Sequence, residues 1–382
     1  MGAGVGTPGV NVIVNANNLL REVGQLDGVA AMVLTSPVLI GQVRTVFSLA
    51  DAEEQGYTLA AAPFVHQAIE LFYNELGGSQ KLYIMGVEDT MTLTQMCTST
   101  NVNGIKKLLL AGKDITHVFI DRDPGVGYDP GDGFLDADIN AAILASSALI
   151  SYQRSVNRPF RLLIAGKVND LEAAVYEPKT TNNTGVMVVL ANNSAGASYA
   201  ALALARTVRY QGHVKIGNGQ NGPLTVAEAF IGDKAIEDFF PEELDAFAEA
   251  GFTIVHQREG SAGYYFGRDR MAGSDDFRIL VHGNIIDKAQ RIATAVNVPL
   301  LETSIRVNDN GTINDADAKF LENNTLNALL ANMQGQISNV DVHVPVTQNI
   351  IENSRLSVIV KVLPLGYLTW ITIELGLTTN LT

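Results

Sequence analysis

The sequence predicts an α/β layer architecture that passes into an α+β unit, with mixed sheets flanked by helices and a strand-bearing arm at each end. Three observations carry this prediction. From residue 29 to about residue 256, short runs of β-branched and aliphatic residues alternate with helix-length segments, the pattern of a largely parallel or mixed sheet with covering helices. Beyond about residue 261 the texture changes to two longer helices followed by three strand-like runs. At both ends, period-two runs stand beside glycine and proline, as strands with no sequence neighbour to pair with. The 382 residues accordingly divide into an N-terminal arm (1–22), an α/β domain (23–255), a C-terminal α+β domain (256–361) and a terminal strand (362–382). This length is enough for more than one core.

At the start, Gly2, Gly4, Gly6, Pro8 and Gly9 forbid regular structure, after which Val10, Val12 and Val14 alternate as a strand would. Residues 29–34 form the first buried strand. Pro63 sits at the first position of a helix, Phe64, Ala68, Leu71 and Phe72 line one face, and Gly77 stops it. Residues 81–87 follow as a strand. Further buried strands fall at 116–120, 161–165 and 186–190, with helices at 105–110, 136–154 and 198–210. Residues 213–216 read as a short strand and 226–230 as helix-like. Helices at 285–296 and 315–333 open the C-terminal part, and Asn310-Gly311 marks a turn between short extended pieces. Three strands, 337–344, 355–363 and 367–375, close the chain as an antiparallel meander. In the last, which opens at Tyr367, Leu368, Trp370, Thr372 and Glu374 alternate with Thr369, Ile371 and Ile373, and Pro364 and Gly366 let the strand leave the body. A lone strand leaves its backbone groups unpaired. Each terminal strand therefore has to join an edge, its own subunit's or a neighbour's.

Lys and Arg number 26 against 40 Asp and Glu, a net charge of −14, and the cations do not cluster, so nucleic acid is not an expected partner. The single cysteine, Cys97, excludes an intrachain disulfide and leaves a thiolate metal cage short of ligands. Charged residues make up 17% of the chain, below the roughly 25% of ordinary soluble domains. No run of about 18 uncharged apolar residues accompanies that shortage, so membrane insertion is not expected. The surplus apolar surface is expected to be buried between subunits of a homo-oligomer. Residues 1–8 lack the basic-then-apolar order of an export signal, and Gly6 stands where a myristoylation pattern requires Ser or Thr.

No motif here asks for catalysis. Gly4 to Gly9 fits Gly-x-Gly-x-x-Gly but follows no strand. Gly217 to Gly222 fits it too, after 213–216, yet Pro223 follows the third glycine. A plain loop is the expectation, and a nucleotide cradle in an α/β enzyme is the competing reading. Gly112-Lys113 and Gly166-Lys167 lack the Ser or Thr of a P-loop. Asp121, Asp123, Asp129, Asp132, Asp136 and Asp138 are interleaved with glycine and proline; calcium favours such oxygen-rich loops, but the spacing is that of turns, and Asp136 or Asp138 suits a helix cap. Arg306 spoils Asn308-Asp309-Asn310-Gly311 as a calcium loop. The six histidines, His66, His117, His213, His256, His282 and His343, are scattered singly, without zinc spacing. No cofactor, metal or catalytic residue is expected.

Several patches together resemble the contractile tail sheath proteins of phages and phage-derived injection systems. Pro8-Gly9-Val10-Asn11-Val12 is similar to the opening of many sheaths, with Asn11 in place of the usual aromatic. Residues 64–87 resemble a sheath helix and strand, with Gly86 where sheaths commonly carry an arginine. Ser198-Tyr199-Ala200-Ala201, running on to Ala205-Arg206-Thr207 and Gly212, resembles the helix and glycine ahead of the family's outer loop. The terminal strand 367–377, with Thr372 and Gly376, completes the order. The resemblance implies a non-enzymatic, sheath-like subunit, stacked helically in six-fold rings around an inner tube protein, that contracts to drive the tube through an envelope. It implies baseplate and tail-terminator proteins as further partners, and a virion tail or injection particle assembled in the bacterial cytoplasm as the location. In the family, terminal arms link subunits by strand addition, which makes Val10, Val12, Val14, Tyr367, Leu368, Trp370, Ile371 and Ile373 the expected subunit-interface residues. Another self-assembling shell or surface-layer subunit is the remaining alternative.

Overall fold

A computed structural model describes residues 28–125 and 127–369. Strand β1 (Ala30–Thr35) is buried along all six residues, as a strand covered on both faces must be. Next come β2 (Val43–Val46), α1 (Leu49–Glu54), α2 (Pro63–Leu76) and β3 (Leu82–Val87). Pro63 stands in the first turn of α2, and Gly77 closes it at φ 66°, a left-handed conformation that costs glycine little. Helices α3 (Leu93–Cys97) and α4 (Ile105–Ala111) lead to β4 (His117–Asp121), and α5 (Ala137–Ser155) leads to β5 (Arg161–Ala165). Strand β6 (Val186–Leu190) is followed by α6 (Ala200–Arg209). A small hairpin of β7 (Phe230–Ile231) and β8 (Lys234–Ala235), then α7 (Pro241–Ala250), precede β9 (Phe252–Arg258) and β10 (Ser261–Phe266).

Eight of these strands form one mixed sheet in the order β10-β9-β6-β5-β4-β1-β3-β2. Its six central strands run parallel, and β2 and β10 close the two edges antiparallel. Continuous apolar runs make β1, β4, β5 and β6 fully buried, as helices on a parallel sheet require. Helix α6 lies against these four strands and packs on α2, while α3 and α5 form a second pair.

The chain then builds α8 (Leu280–Asn297), α9 (Asp315–Met333), β11 (Ile337–His343), the one-turn α10 (Ile350–Asn353) and β12 (Ile359–Pro364). Their apolar clusters are separate from the main core. One joins Ile285, Ala289 and Ile292 of α8 to Leu329 and Met333 of α9 and to Val340 and Val342 of β11. The other gathers Ile313, Ala318, Leu321 and Val344. Helix α8 sends Leu280 into the main core and, further along, meets the large sheet through polar groups: Arg161 at the start of β5 donates from Nε to Asp287 at 2.6 Å and from Nη2 to the Gly283 carbonyl at 3.0 Å.

Several expectations need correction. Residues 213–216 form a turn, not a strand, and 226–230 are irregular until β7. Arg206, buried on α6, holds the end of the first stretch and the loop that follows it, its guanidinium donating to the carbonyls of Ile216, Gly222 and Pro223. The strand expected at 355–363 begins at Ile359, and residues 367–369 are in no strand. A division at 255/256 would cut β9, since β10 keeps the chain in the large sheet as far as Phe266.

Candidate assembly interface

The C-terminal unit owes its ladder to alternation. Val340 and Val342 point into the cluster beneath, while Asn339, Asp341 and His343 are exposed. Val362 and Val360 stand opposite them on β12, half-buried, so Ile359, Lys361 and Leu363 face outward. A two-stranded ladder is marginal alone, and α8 and α9 supply its missing face. Among the described residues, β11 and β12 pair only with each other. Each therefore presents an outer row of backbone donors and acceptors, the template that an added strand needs. Ile359 is 42% and Leu363 59% exposed, so apolar side chains accompany that open edge.

Glu322 on α9 holds the far end of β11. It accepts from the Val344 amide at 2.9 Å, faces His343 Nδ1 at 3.1 Å and pairs with Lys319. These donors, Lys319 first and then Val344, hold its carboxyl below the usual range.

The other end leads into the C-terminal segment. Pro364 offers no amide to the ladder, and at Gly366 a side chain would meet open space. Tyr367 then turns back onto the large unit. Its hydroxyl donates to the His213 carbonyl at 2.7 Å, the Lys215 ammonium lies 5.0 Å from its ring centroid, and the His282 ring lies at 6.3 Å. Burial, and then the charge of Asp269, push its hydroxyl up to about 12, so it is a neutral donor. Asp269 is fully buried, 3.6 Å from the Lys215 ammonium, and its backbone and side-chain oxygens accept the first two amides of α8. Desolvation raises its carboxyl above the ordinary range. A cleft of about 1100 Å³ opens beside this contact, with Arg268, Arg270, Arg278 and the 364–369 segment among its walls.

Of the expected interface residues, Tyr367 and Leu368 are described, Tyr367 half-buried on its own chain and Leu368 89% exposed. Val10, Val12, Val14, Trp370, Ile371 and Ile373 lie outside the described residues. Sequence reasoning missed the partners of Tyr367, which are supplied by a turn and a helix start far away in the chain. It also missed Ile359 and Leu363, although their alternation with Val360 and Val362 is a legible signal.

Several residues of the other candidate segments are engaged within the protein itself. In the Gly217–Gly222 stretch, Arg206 and Arg258 take carbonyls, and a Cβ at Gly217 would sit 2.3 Å from the Phe266 carbonyl oxygen, so this glycine serves backbone packing. Arg206 is itself paired with Glu75 at 2.6 Å, both buried. In the acidic stretch, Asp121 pairs with Lys167 at 3.1 Å and Asp136 caps α5. Burial acts to raise the Asp138 carboxyl, but donation from the Thr94 hydroxyl, the amides of Thr94 and Leu93, and Arg122 holds it below the usual range.

A family model described as DUF2586, N-terminal domain, matches residues 8–270, and one described as DUF2586, C-terminal domain, matches residues 276–382. No curated protein matches the chain. Among solved structures, a chain of the six-fold symmetrised cryo-EM baseplate of the anti-feeding prophage is similar at 14% identity and TM-score 0.64, covering 98% of this chain and 100% of that one. A chain of the helical sheath of the same prophage in its contracted state follows at 14% and 0.61, covering 98% and 99%. A chain of the sheath complex of the extracellular contractile injection system PVC, also contracted, gives 11% and 0.60, covering 99% of both. The fold is therefore shared with these chains over nearly the whole length.

Proposed function

Since the chain belongs to the DUF2586 family in both its N-terminal and its C-terminal domain, we propose, from that premise and from the fold it shares with sheath chains, that it is a structural subunit of a contractile tail sheath. It polymerises with copies of itself as stacked helical rings around an inner tube and is non-enzymatic. Contraction drives that tube through a target envelope, and baseplate and tail-terminator proteins bound the polymer, in a virion tail or injection particle assembled in the bacterial cytoplasm. Residues 1–22 and 362–382 are the linking arms in this reading, with Val10, Val12, Val14, Tyr367, Leu368, Trp370, Ile371 and Ile373 as contact residues.

The observation that carries the proposal is the β11–β12 ladder, with two outer edges unpaired among the described residues and residues 365–369, outside any strand, running on from it. Each backbone hydrogen bond formed by an incoming strand contributes about 0.5–1.5 kcal/mol net, so a strand of several residues holds firmly without any large apolar patch. Negative-stain microscopy of the purified chain tests this, together with deletions of residues 1–14 and 367–382. The full chain should form helical tubes, and each deletion should leave a cooperatively melting subunit that forms none. Normal tubes from a truncated chain would remove that terminus from the linkage, and loss of cooperative melting would make it part of its own domain instead.

A further inference from the structure

We propose that Tyr367 is an autoinhibitory latch: in the free subunit it holds the root of the C-terminal segment against the subunit's own large unit, and donation of that segment to a neighbour has to break it. The inference rests on reading the segment as a linking strand.

The contact is small and localised. Residues 365–369 have no regular structure, and among the described residues they make no backbone hydrogen bond to the body. Leu368 is 89% exposed, Gly366 borders open space and Leu365 is half-buried; among residues 365–369 it is Tyr367 that carries the hydrogen bond and the ring contacts to the rest of the subunit. Its seat is built, not incidental. The His213 carbonyl and the Lys215 ammonium come from the turn after α6, and Lys215 is drawn under the ring by Asp269, which also seals the first turn of α8. The latch therefore bridges the large unit, the C-terminal unit and the departing chain at one point.

Magnitude decides what such a contact can do. One neutral hydrogen bond and one cation–aromatic contact together favour the held state by about tenfold, enough to make a free arm the minor species. A donated strand forms several backbone hydrogen bonds at once and outcompetes that hold. The latch thus slows chance pairing between free subunits, while growth on an existing edge proceeds.

The mobility of a nitroxide label on Leu368→Cys in the free full-length subunit, where the native Cys97 is buried, reads the held and released populations of the segment. Read beside the lag of assembly of the unlabelled chain by light scattering, it tests the latch with Tyr367→Phe and Tyr367→Ala. Tyr367→Ala should lower the ratio of held to released label by about tenfold and shorten the lag, with the thermal midpoint of the body unchanged; Tyr367→Phe should fall between. Equal label mobility with Tyr367 and with Tyr367→Ala would overturn the latch, as would a longer lag in the variant, which would mean that the contact serves the assembled state. A wild-type chain that forms no tubes under any condition would instead defeat the sheath reading, and label mobility would still decide whether the segment is held.

Discussion

His117 stands at the first position of β4, fully enclosed, with Thr116 Oγ1 2.8 Å from its Nδ1 and Asn284 Oδ1 3.0 Å from its Nε2. Burial, aided by the positive charges of Arg291 and Arg161, pushes the imidazole down to about 3, against a raising effect of Asn284. An unfolded histidine titrates near 6.5, so above that pH both states are neutral and the residue costs nothing. Below it the unfolded chain gains a proton that the folded chain refuses, and stability falls as pH drops from 6.5 towards 3, by up to about 1.4 kcal/mol per unit. Between pH 6.5 and 5 the wild type should therefore lose about 2 kcal/mol that His117→Gln keeps, read as the shift in urea midpoint of each protein across that window. Equal shifts would place the acid sensitivity elsewhere. The sequence showed His117 only as one of six scattered histidines, because its partner Asn284 is 167 residues away. Pro63, Gly77 and Asp136 were legible for the opposite reason, since a helix start, a helix stop and a cap are decided within a few residues.

The same division between local and distant information governs the elements. Helix α9 occupies the predicted span, Asp315–Met333, because capping and composition mark it from within. The brief β2, α1 and α3 are too short for periodicity to announce, and the turn at 213–216 is held at its end by an arginine on another element. Strand β12 carries the clearest consequence for assembly. Leu363 and Ile359 face outward from an edge strand, and lysine on such an edge discourages pairing with another chain. Leu363→Lys should change the stability of the subunit by less than about 0.5 kcal/mol, as a surface substitution does. It should nevertheless shorten or abolish tubes, measured by sedimentation and negative-stain microscopy against the melting curve of the same preparation. A variant that melts normally and still forms full-length tubes would show that this face stays outside the linkage.

At the scale of the molecule, the main core and the C-terminal clusters meet through Leu280, which belongs to the main core, and through a set of charged and polar side chains. Asp287 on α8 receives Arg161 at 2.6 Å and Arg154 at 3.1 Å, and Gln290 and Arg291 reach backbone carbonyls of the large unit. Arg161 is 1% exposed, so neutralising its partner strands a buried charge at a cost of about 3–5 kcal/mol. Because that cost falls on the junction and not within either core, Asp287→Asn should lower the first melting temperature and split calorimetric unfolding into two transitions. A single transition, merely shifted, would mean that the units couple by other contacts. The junction was invisible in the sequence, where Arg161 reads only as the start of a buried strand and Asp287 as a polar turn of a helix.

Among the described residues, the large sheet ends on one side in β2, four residues long, and on the other in β10, where a register break between Ser261 and Tyr264 interrupts the ladder. Short and bulged borders of this kind resist side-by-side accretion. In the proposed polymer, crowding would put such a chain at standing risk of amyloid-like misassociation through its widest sheet. Among the described residues that sheet is dulled at both borders while the small C-terminal ladder stays receptive, a division of labour that would separate ordered growth from precipitation.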